Sequence, residues 1–215
     1  METRNLPEES DRPYELGEAA SENLSFHPRS VFMTLLLVSL VMLFLALSAA
    51  FVYNRIQSEL PPLQLPLLFL INTVILLGGS YCLNRAKVMY KTDNTSGYIR
   101  MLEYTLALTV LFLVAQILAW YQLFEREIFA SSDNSAGYLY VISFLHFLHV
   151  IGGIPFLVVF LVNARKKMVE PVSVLVYFSD PDKRLNLRLL SMYWHFLDGL
   201  WIYLVLFFFA YQIIF

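Results

Sequence analysis

Cysteine is almost absent: Cys82 is the single one, and it lies inside an apolar run. Neither a disulfide framework nor a cysteine-based zinc site can be built from it. Charge is scarce as well. Only 15% of the 215 residues are Asp, Glu, Lys or Arg, against about 25% in ordinary soluble domains. The formal net charge of −2 leaves no basic footprint for a nucleic acid. No internal repeat or low-complexity tract interrupts the chain. Hydrocarbon stands where the charge is missing: 58% of the residues are apolar and 16% aromatic, with 18 Phe and 13 Tyr. With a mean hydropathy of +0.61, this excludes disordered and most soluble classes. The composition is that of a membrane protein.

Five stretches are long enough to cross a bilayer as helices, which takes about 17–25 residues. Ser30–Asn54 is free of charge between Arg29 and Arg55, and Leu60–Asn84 between Glu59 and Arg85, with Pro61, Pro62 and Pro66 at its entrance. Tyr104–Phe124 lies between Glu103 and Glu125. Asn134–Ala164 follows, with Ser131–Gly137 read as a polar turn. Leu189–Phe215 carries one charge, Asp198. Barrel strands alternate apolar and polar residues over about ten positions, whereas these runs are continuous and longer. The expectation is an all-α bundle of five transmembrane helices, with spans at about 30–54, 62–84, 103–124, 137–163 and 190–214.

Thirteen of the fifteen Lys and Arg residues fall on one side of this arrangement, leaving Arg55 and Arg126 on the other. The positive-inside rule makes the basic side cytoplasmic, so the N-terminus is expected inside and the C-terminus outside. Residues 1–28 hold seven carboxylates and two arginines. That is the wrong shape for a secretory signal or a transit peptide. It reads as an acidic cytoplasmic tail, disordered on its own, ahead of a membrane domain over 29–215. Pro171 and Pro181 break the longest loop, Arg165–Arg188, whose Val172–Phe178 stretch suits the headgroup level.

Ionisable groups at membrane depth are costly and mark function or specific packing. His146 and His149 share one face of the fourth span, and His195 and Asp198 one face of the fifth. Asn72 and Gln116 are the most polar residues of the second and third spans; the first offers only Thr34, Ser39 and Ser48. His146 and His149 cannot sandwich one haem iron from a single face. His149 and His195 also differ in depth on the expected spans, at roughly 20 Å and about 6 Å from the same membrane side. The same difference weighs against a two-His-one-carboxylate metal site built from His195, Asp198 and a span-four histidine. A structural reading takes their place. In it Asp198 accepts hydrogen bonds from His195 or from a Tyr or Trp of another helix, and Gly78–Gly79, Gly152, Gly153 and Gly199 let backbones approach closely. No nucleophile–base–oxyanion constellation is present.

The last span reads Tyr193-Trp194-His195-Phe196-Leu197-Asp198-Gly199-Leu200-Trp201. It resembles the Trp-His-Phe-x-Asp-x-x-Trp signature of subunit III of haem–copper oxidases, which oxidise cytochrome c or quinol. His146-Phe147-Leu148-His149-Val150-Ile151-Gly152-Gly153 resembles that family's His-Gly-Leu-His-Val-x-x-Gly. Shorter likenesses lie at Leu65–Thr73, Ser39–Phe44 and Ala49–Phe51, so the resemblance covers roughly residues 27–215. The full family form has seven helices; five match the shortened bacterial form. Two family carboxylates fall on Leu40 and Ala119, which cannot bind or release a proton.

The resemblance implies a non-redox structural subunit of a terminal oxidase in aerobic electron transport, in the bacterial inner membrane. It would stabilise the catalytic subunit and border its proton-entry region. It carries no cofactor of its own; haem and copper are expected in partner subunits. Subunits I and II and membrane phospholipids are the implied partners, other respiratory complexes are further candidates, and no nucleic acid is expected. His146, His149, His195, Asp198, Trp194 and Trp201 would form the polar network between helices. The alternative is a small proton-coupled transporter or integral membrane enzyme using His195 and Asp198. It lacks the repeats on which transporters are typically built.

Overall fold

The computed structural model describes residues 28–58, 65–131, 134–167 and 180–214. Within them lie five helices: α1 (Pro28–Ser58), α2 (Leu68–Lys91), α3 (Thr95–Glu125), α4 (Asn134–Lys167) and α5 (Pro181–Ile214). All five are long and apolar enough to cross a membrane. Helices suit hydrocarbon because each satisfies its own backbone polar groups. The side-chain hydroxyls follow the same rule. Thr34, Ser39, Thr73, Thr105, Thr109 and Ser143 each donate to the carbonyl four residues back, at 2.7–3.0 Å. Thr34 and Ser39 of α1 therefore present little unmet polarity to lipid, while the Ser48 hydroxyl is buried without a partner among the described residues.

The helices run past the apolar spans at their polar ends. The expected turn over Ser131–Gly137 is cut short by α4, which starts at Asn134. α5 starts at Pro181, well before the apolar run, because Asp180 caps it: its Oδ1 accepts the N–H of Asp182 at 2.9 Å. Proline is well placed at a first helical position, where its missing N–H is not needed. Pro181 therefore opens a helix where it was expected to break a loop. The tail 1–27 and the Val172–Phe178 stretch lie outside the described residues.

α2 and α3 form an antiparallel hairpin through a tight turn. Asp93 adopts a left-handed backbone (φ 52°), and the N–H of Asn94 returns to the Met89 carbonyl at 3.0 Å, closing α2 with a Schellman motif. Asn94 then caps α3 by accepting the Gly97 N–H at 2.9 Å. α5 packs against α2, α4 and α1, and α4 also packs against α3 and α1.

Two apolar cores result. One draws on all five helices, with Phe44, Phe51, Phe69, Phe112, Leu139 and Trp201 among its buried members. In it Phe51 of α1 meets Tyr138 and the α5 rings Phe207, Phe208 and Tyr211 edge-on, at centroid distances of 4.9–6.0 Å. The other core, around Leu83, Tyr98, Leu102, Leu157, Leu187 and Trp194, contains no buried residue of α1. The N-terminal half of α1 instead borders an apolar groove of about 430 Å³, lined by residues from Phe32 to Leu43.

Candidate functional site

The chemistry-bearing side chains gather where α5 faces α2. Lys87 Nζ donates to Ser191 Oγ at 3.1 Å. One turn along, His195 Nε2 lies 3.0 Å from Asn84 Oδ1 and His195 Nδ1 lies 2.6 Å from Ser80 Oγ. Asp198 follows, its Oδ2 3.9 Å from His195 Nδ1. Asp198 is buried, and neither carboxyl oxygen has a direct hydrogen-bond partner among the described residues. Among the described residues neither His195, at 3.9 Å, nor a Tyr or Trp of another helix makes the hydrogen bond expected for it. The nearby indole, that of Trp201, donates instead to Thr73 Oγ1 at 3.2 Å. Ser80 and Asp198 meet the same ring nitrogen, His195 Nδ1, at 2.6 and 3.9 Å.

Trp201 joins three helices. Its ring stacks on Phe69 of α2 at 5.7 Å, meets Phe112 of α3 edge-on at 5.2 Å and lies 5.0 Å from His146 of α4. His146 is fully buried in this aromatic cage, with neither ring nitrogen hydrogen-bonded among the described residues. His149 turns away from the seam: its Nδ1 lies 2.6 Å from the Leu145 carbonyl and its ring faces Phe44 of α1. Its backbone carbonyl accepts Tyr193 Oη of α5 at 2.8 Å.

That last bond corrects the expected difference in depth. With α4 running to Lys167 and α5 starting at Pro181, His149 and His195 sit on neighbouring turns. Direction is what separates them: His149 faces α1, and His195 faces α2. Among the described residues, no three His, Cys, Asp or Glu side chains converge as a metal site.

The close approach expected at five glycines is realised at one of them. A Cβ on Gly153 would come within 2.8 Å of Trp194, whereas Gly152 and Gly199 have nothing within 4 Å. Gly78 and Gly79 make ordinary contact with Leu108, at 3.5 and 3.9 Å. Asn72 of α2 and Gln116 of α3, both fully buried, join through Asn72 Nδ2 donating to Gln116 Oε1 at 2.8 Å.

Thr73, Ser80, Asn84 and Lys87 were not singled out from the sequence. Their spacing of seven, four and three residues is nonetheless one face of a helix. Leu40 and Ala119 are both buried in the larger core, and Leu40 also lines the α1 groove.

The sequence profile of the family described as "Cytochrome c oxidase subunit III" matches residues 20–213. The chain is 27% identical over 209 residues to cytochrome c oxidase subunit 3 of Synechocystis sp., covering 95% of this chain and 84% of that protein. It is 30% identical over 148 residues to cytochrome c oxidase subunit 3 of Ornithorhynchus anatinus, covering 68% of this chain and 50% of that one. A probable cytochrome c oxidase subunit 3 of Rickettsia prowazekii is 25% identical over 137 residues, covering 64% and 45%. The chain thus spans most of the cyanobacterial relative and about half the length of the other two. With nearly its whole described length inside the family match, the chain belongs to the cytochrome c oxidase subunit III family.

Proposed function

We propose that the chain is the non-redox structural subunit III of a haem–copper terminal oxidase, packed on the flank of the catalytic subunit and bordering its proton-entry region. The observation that carries this reading is the family match over residues 20–213. The side-chain geometry supports it. Trp201 and Tyr193 tie α5 to α2 and α4, and Asn72 ties α2 to α3. These bonds hold helices together. In this reading His149, His195, Asp198, Trp194 and Trp201 form the lock between helices, with His146 filling the cage beside it. Haem and copper belong to the partner subunits I and II.

In this reading the bilayer is the bacterial inner membrane with the N-terminus on the cytoplasmic side, an orientation supported by the asymmetry of thirteen basic residues to two. Large apolar side chains such as Phe32, Met42, Val74, Leu111 and Phe156 are exposed along the outer faces, as contact with lipid or another membrane subunit demands. Leu40 and Ala119 supply no carboxyl, so the role is stabilising and not proton-collecting at those two positions.

Pull-down of the tagged chain in mild detergent, followed by a haem spectrum of the eluate, tests the reading. Recovery of a stoichiometric haem- and copper-containing partner is the expected result. Recovery without any haem protein would sink it and favour a transporter or a membrane enzyme. Reporter fusions at the two ends should give opposite signals; an active cytoplasmic reporter at the C-terminus would overturn the orientation.

A further inference from the structure

The α2–α5 seam is lined by polar side chains from Lys87 to Asp198, and the next polar contact beyond them is the Trp201 indole donating to Thr73 Oγ1. Lys87 meets Ser191, Asn84 and Ser80 meet His195, and past Asp198 the Trp201 ring stacked on Phe69 closes the way. Access is graded in the same direction. Asn84 is exposed, the His195 side chain is 31% accessible, and that of Asp198 only 6%. His195 Nδ1 and Asp198 Oδ2, 3.9 Å apart, are too distant for a direct hydrogen bond. The Ser80 hydroxyl lies 2.6 Å from the same His195 Nδ1 that faces Asp198 Oδ2. A hydroxyl donates one hydrogen bond and accepts others, and it can reverse the direction of its own bond.

We propose that Asp198, Ser80 and His195 form a proton-binding site that holds one exchangeable proton and passes it between carboxyl and imidazole through the Ser80 hydroxyl. In one state the Asp198 carboxyl, partnerless as it stands, turns to donate to Ser80 Oγ and the Ser80 O–H donates to His195 Nδ1. Transfer moves the carboxyl proton onto Ser80 Oγ while the original Ser80 proton moves onto Nδ1. The products are a carboxylate and an imidazolium, with Ser80 now donating to Asp198 and accepting from Nδ1. In both states His195 Nε2–H donates to Asn84 Oδ1, so Asn84 is a positioning residue: it fixes the tautomer whose Nδ1 is free to accept.

The charged groups that continue these faces are Lys87 and Lys91 of α2 and Arg188 of α5, with Lys87 bonded to Ser191. Tyr193 of α5 is committed to the His149 carbonyl, and the His149 ring of α4 points to α1. Because Trp201 and Phe69 close the far end, the site stores a proton that enters and leaves on the Asn84 and Lys87 side. It is not a path across the membrane. It accounts for a buried carboxyl without a direct partner, which hydrocarbon otherwise disfavours strongly in its charged form.

Infrared spectroscopy of the full chain in lipid vesicles reads the site directly, with or without its oxidase partners. Failure of the subunit assignment would therefore leave this measurement intact. Wild type is expected to show a protonated-carboxyl C=O stretch that Asp198→Asn removes and that shifts on transfer to D2O. Ser80→Ala should keep the band and slow its exchange by about tenfold or more, equivalent to at least about 1.4 kcal/mol in the barrier. Ser80→Thr, which retains the hydroxyl, should restore the rate. Should Ser80→Ala fail to fold, His195→Gln takes its place, since an amide cannot receive the proton and exchange must again slow. Absence of a band that Asp198→Asn removes overturns the proposal. So does wild-type exchange in Ser80→Ala or, in its place, in His195→Gln.

Discussion

Trp194 lies so close to Gly153 that a Cβ on the glycine would sit 2.8 Å from the indole Cζ3, with Tyr193 Cε1 at 3.0 Å. Trp194 is almost fully buried, and Tyr193 is tethered through its hydroxyl to the His149 carbonyl. Neither ring can yield without losing packing or a hydrogen bond. Gly153→Ala is therefore expected to destabilise the bundle by about 1–3 kcal/mol, the usual cost of overpacking. Gly152→Ala, with open space around its Cβ position, should be neutral or stabilise by about 0.5–1 kcal/mol, as alanine does within a helix. Thermal unfolding of both variants in one detergent separates the cases; equal effects would refute the assignment of the contact.

The ends of α2 and α3 carry a removable strain. Asp93 (φ 52°) and Glu127 (φ 60°) both hold left-handed backbone where helices usually place glycine. After Glu127, the N–H of Ile128 returns to the Leu123 carbonyl at 3.0 Å, so the motif is complete despite the side chain. A non-glycine residue pays about 1–2 kcal/mol in this conformation, and aspartate tolerates it better than glutamate. Asp93→Gly is expected to raise stability by up to about 1 kcal/mol, whereas in Glu127→Gly the same backbone relief is offset by the contact that Glu127 makes. Chemical denaturation in mixed micelles gives the order. A loss of stability in Glu127→Gly would show that its side chain contributes more than the backbone conformation costs.

The helices were legible because hydrocarbon leaves few other solutions for runs such as Ser30–Asn54 and Tyr104–Phe124. Their ends were not. An uninterrupted apolar run measures the thickness of the bilayer, whereas a helix continues wherever its next turn is capped or packed. Lys87, Lys91 and Arg165 remain helical past their spans. Asp180-Pro181-Asp182 carried a start signal, cap then proline, that was outweighed by reading Pro181 as a breaker. The site was legible as a set of histidines and an aspartate on α4 and α5, with motif positions that led to the family. Their partners were harder to see. A Ser, Thr or Asn in a helix can bond its own carbonyls, as Asn54 does through Nδ2 to Ala50, so residue type alone does not mark Ser80 or Asn84 as a contact between helices. Depth, too, could not be measured from apolar runs that stop short of the true helix ends.

Asn72 and Gln116 offer a separable measure of how α2 and α3 hold together. Both are fully buried and joined at 2.8 Å. Hydrogen bonds between membrane helices average about 0.6 kcal/mol and reach about 1.7 kcal/mol in double-mutant cycles. A cycle with Asn72→Leu and Gln116→Leu is expected to give a coupling in that range, the double variant losing less stability than the two single losses added together. A coupling of zero would assign the hairpin's stability to apolar packing and the Asp93 turn alone.

His146 and Trp201 share a cage, yet substitution should separate them sharply. Trp201 contributes a large ring packed between Phe69 and Phe112 and an indole N–H bonded to Thr73. Trp201→Ala opens a cavity and strands nothing polar but the Thr73 hydroxyl, which keeps its bond to the Phe69 carbonyl; a loss of about 3–5 kcal/mol is expected. His146 brings two ring nitrogens that find no partner among the described residues. Replacing a buried, unsatisfied polar group by an apolar one of similar size is close to neutral, because the lost contacts are offset by the desolvation no longer incurred. His146→Leu should therefore lie within about 1 kcal/mol of wild type in the thermal unfolding of the same preparation. A loss as large as that of Trp201→Ala would mean that the imidazole is hydrogen-bonded in the membrane, by water or by a neighbouring subunit. His146 would then act as a polar link in the lock and not as its filler.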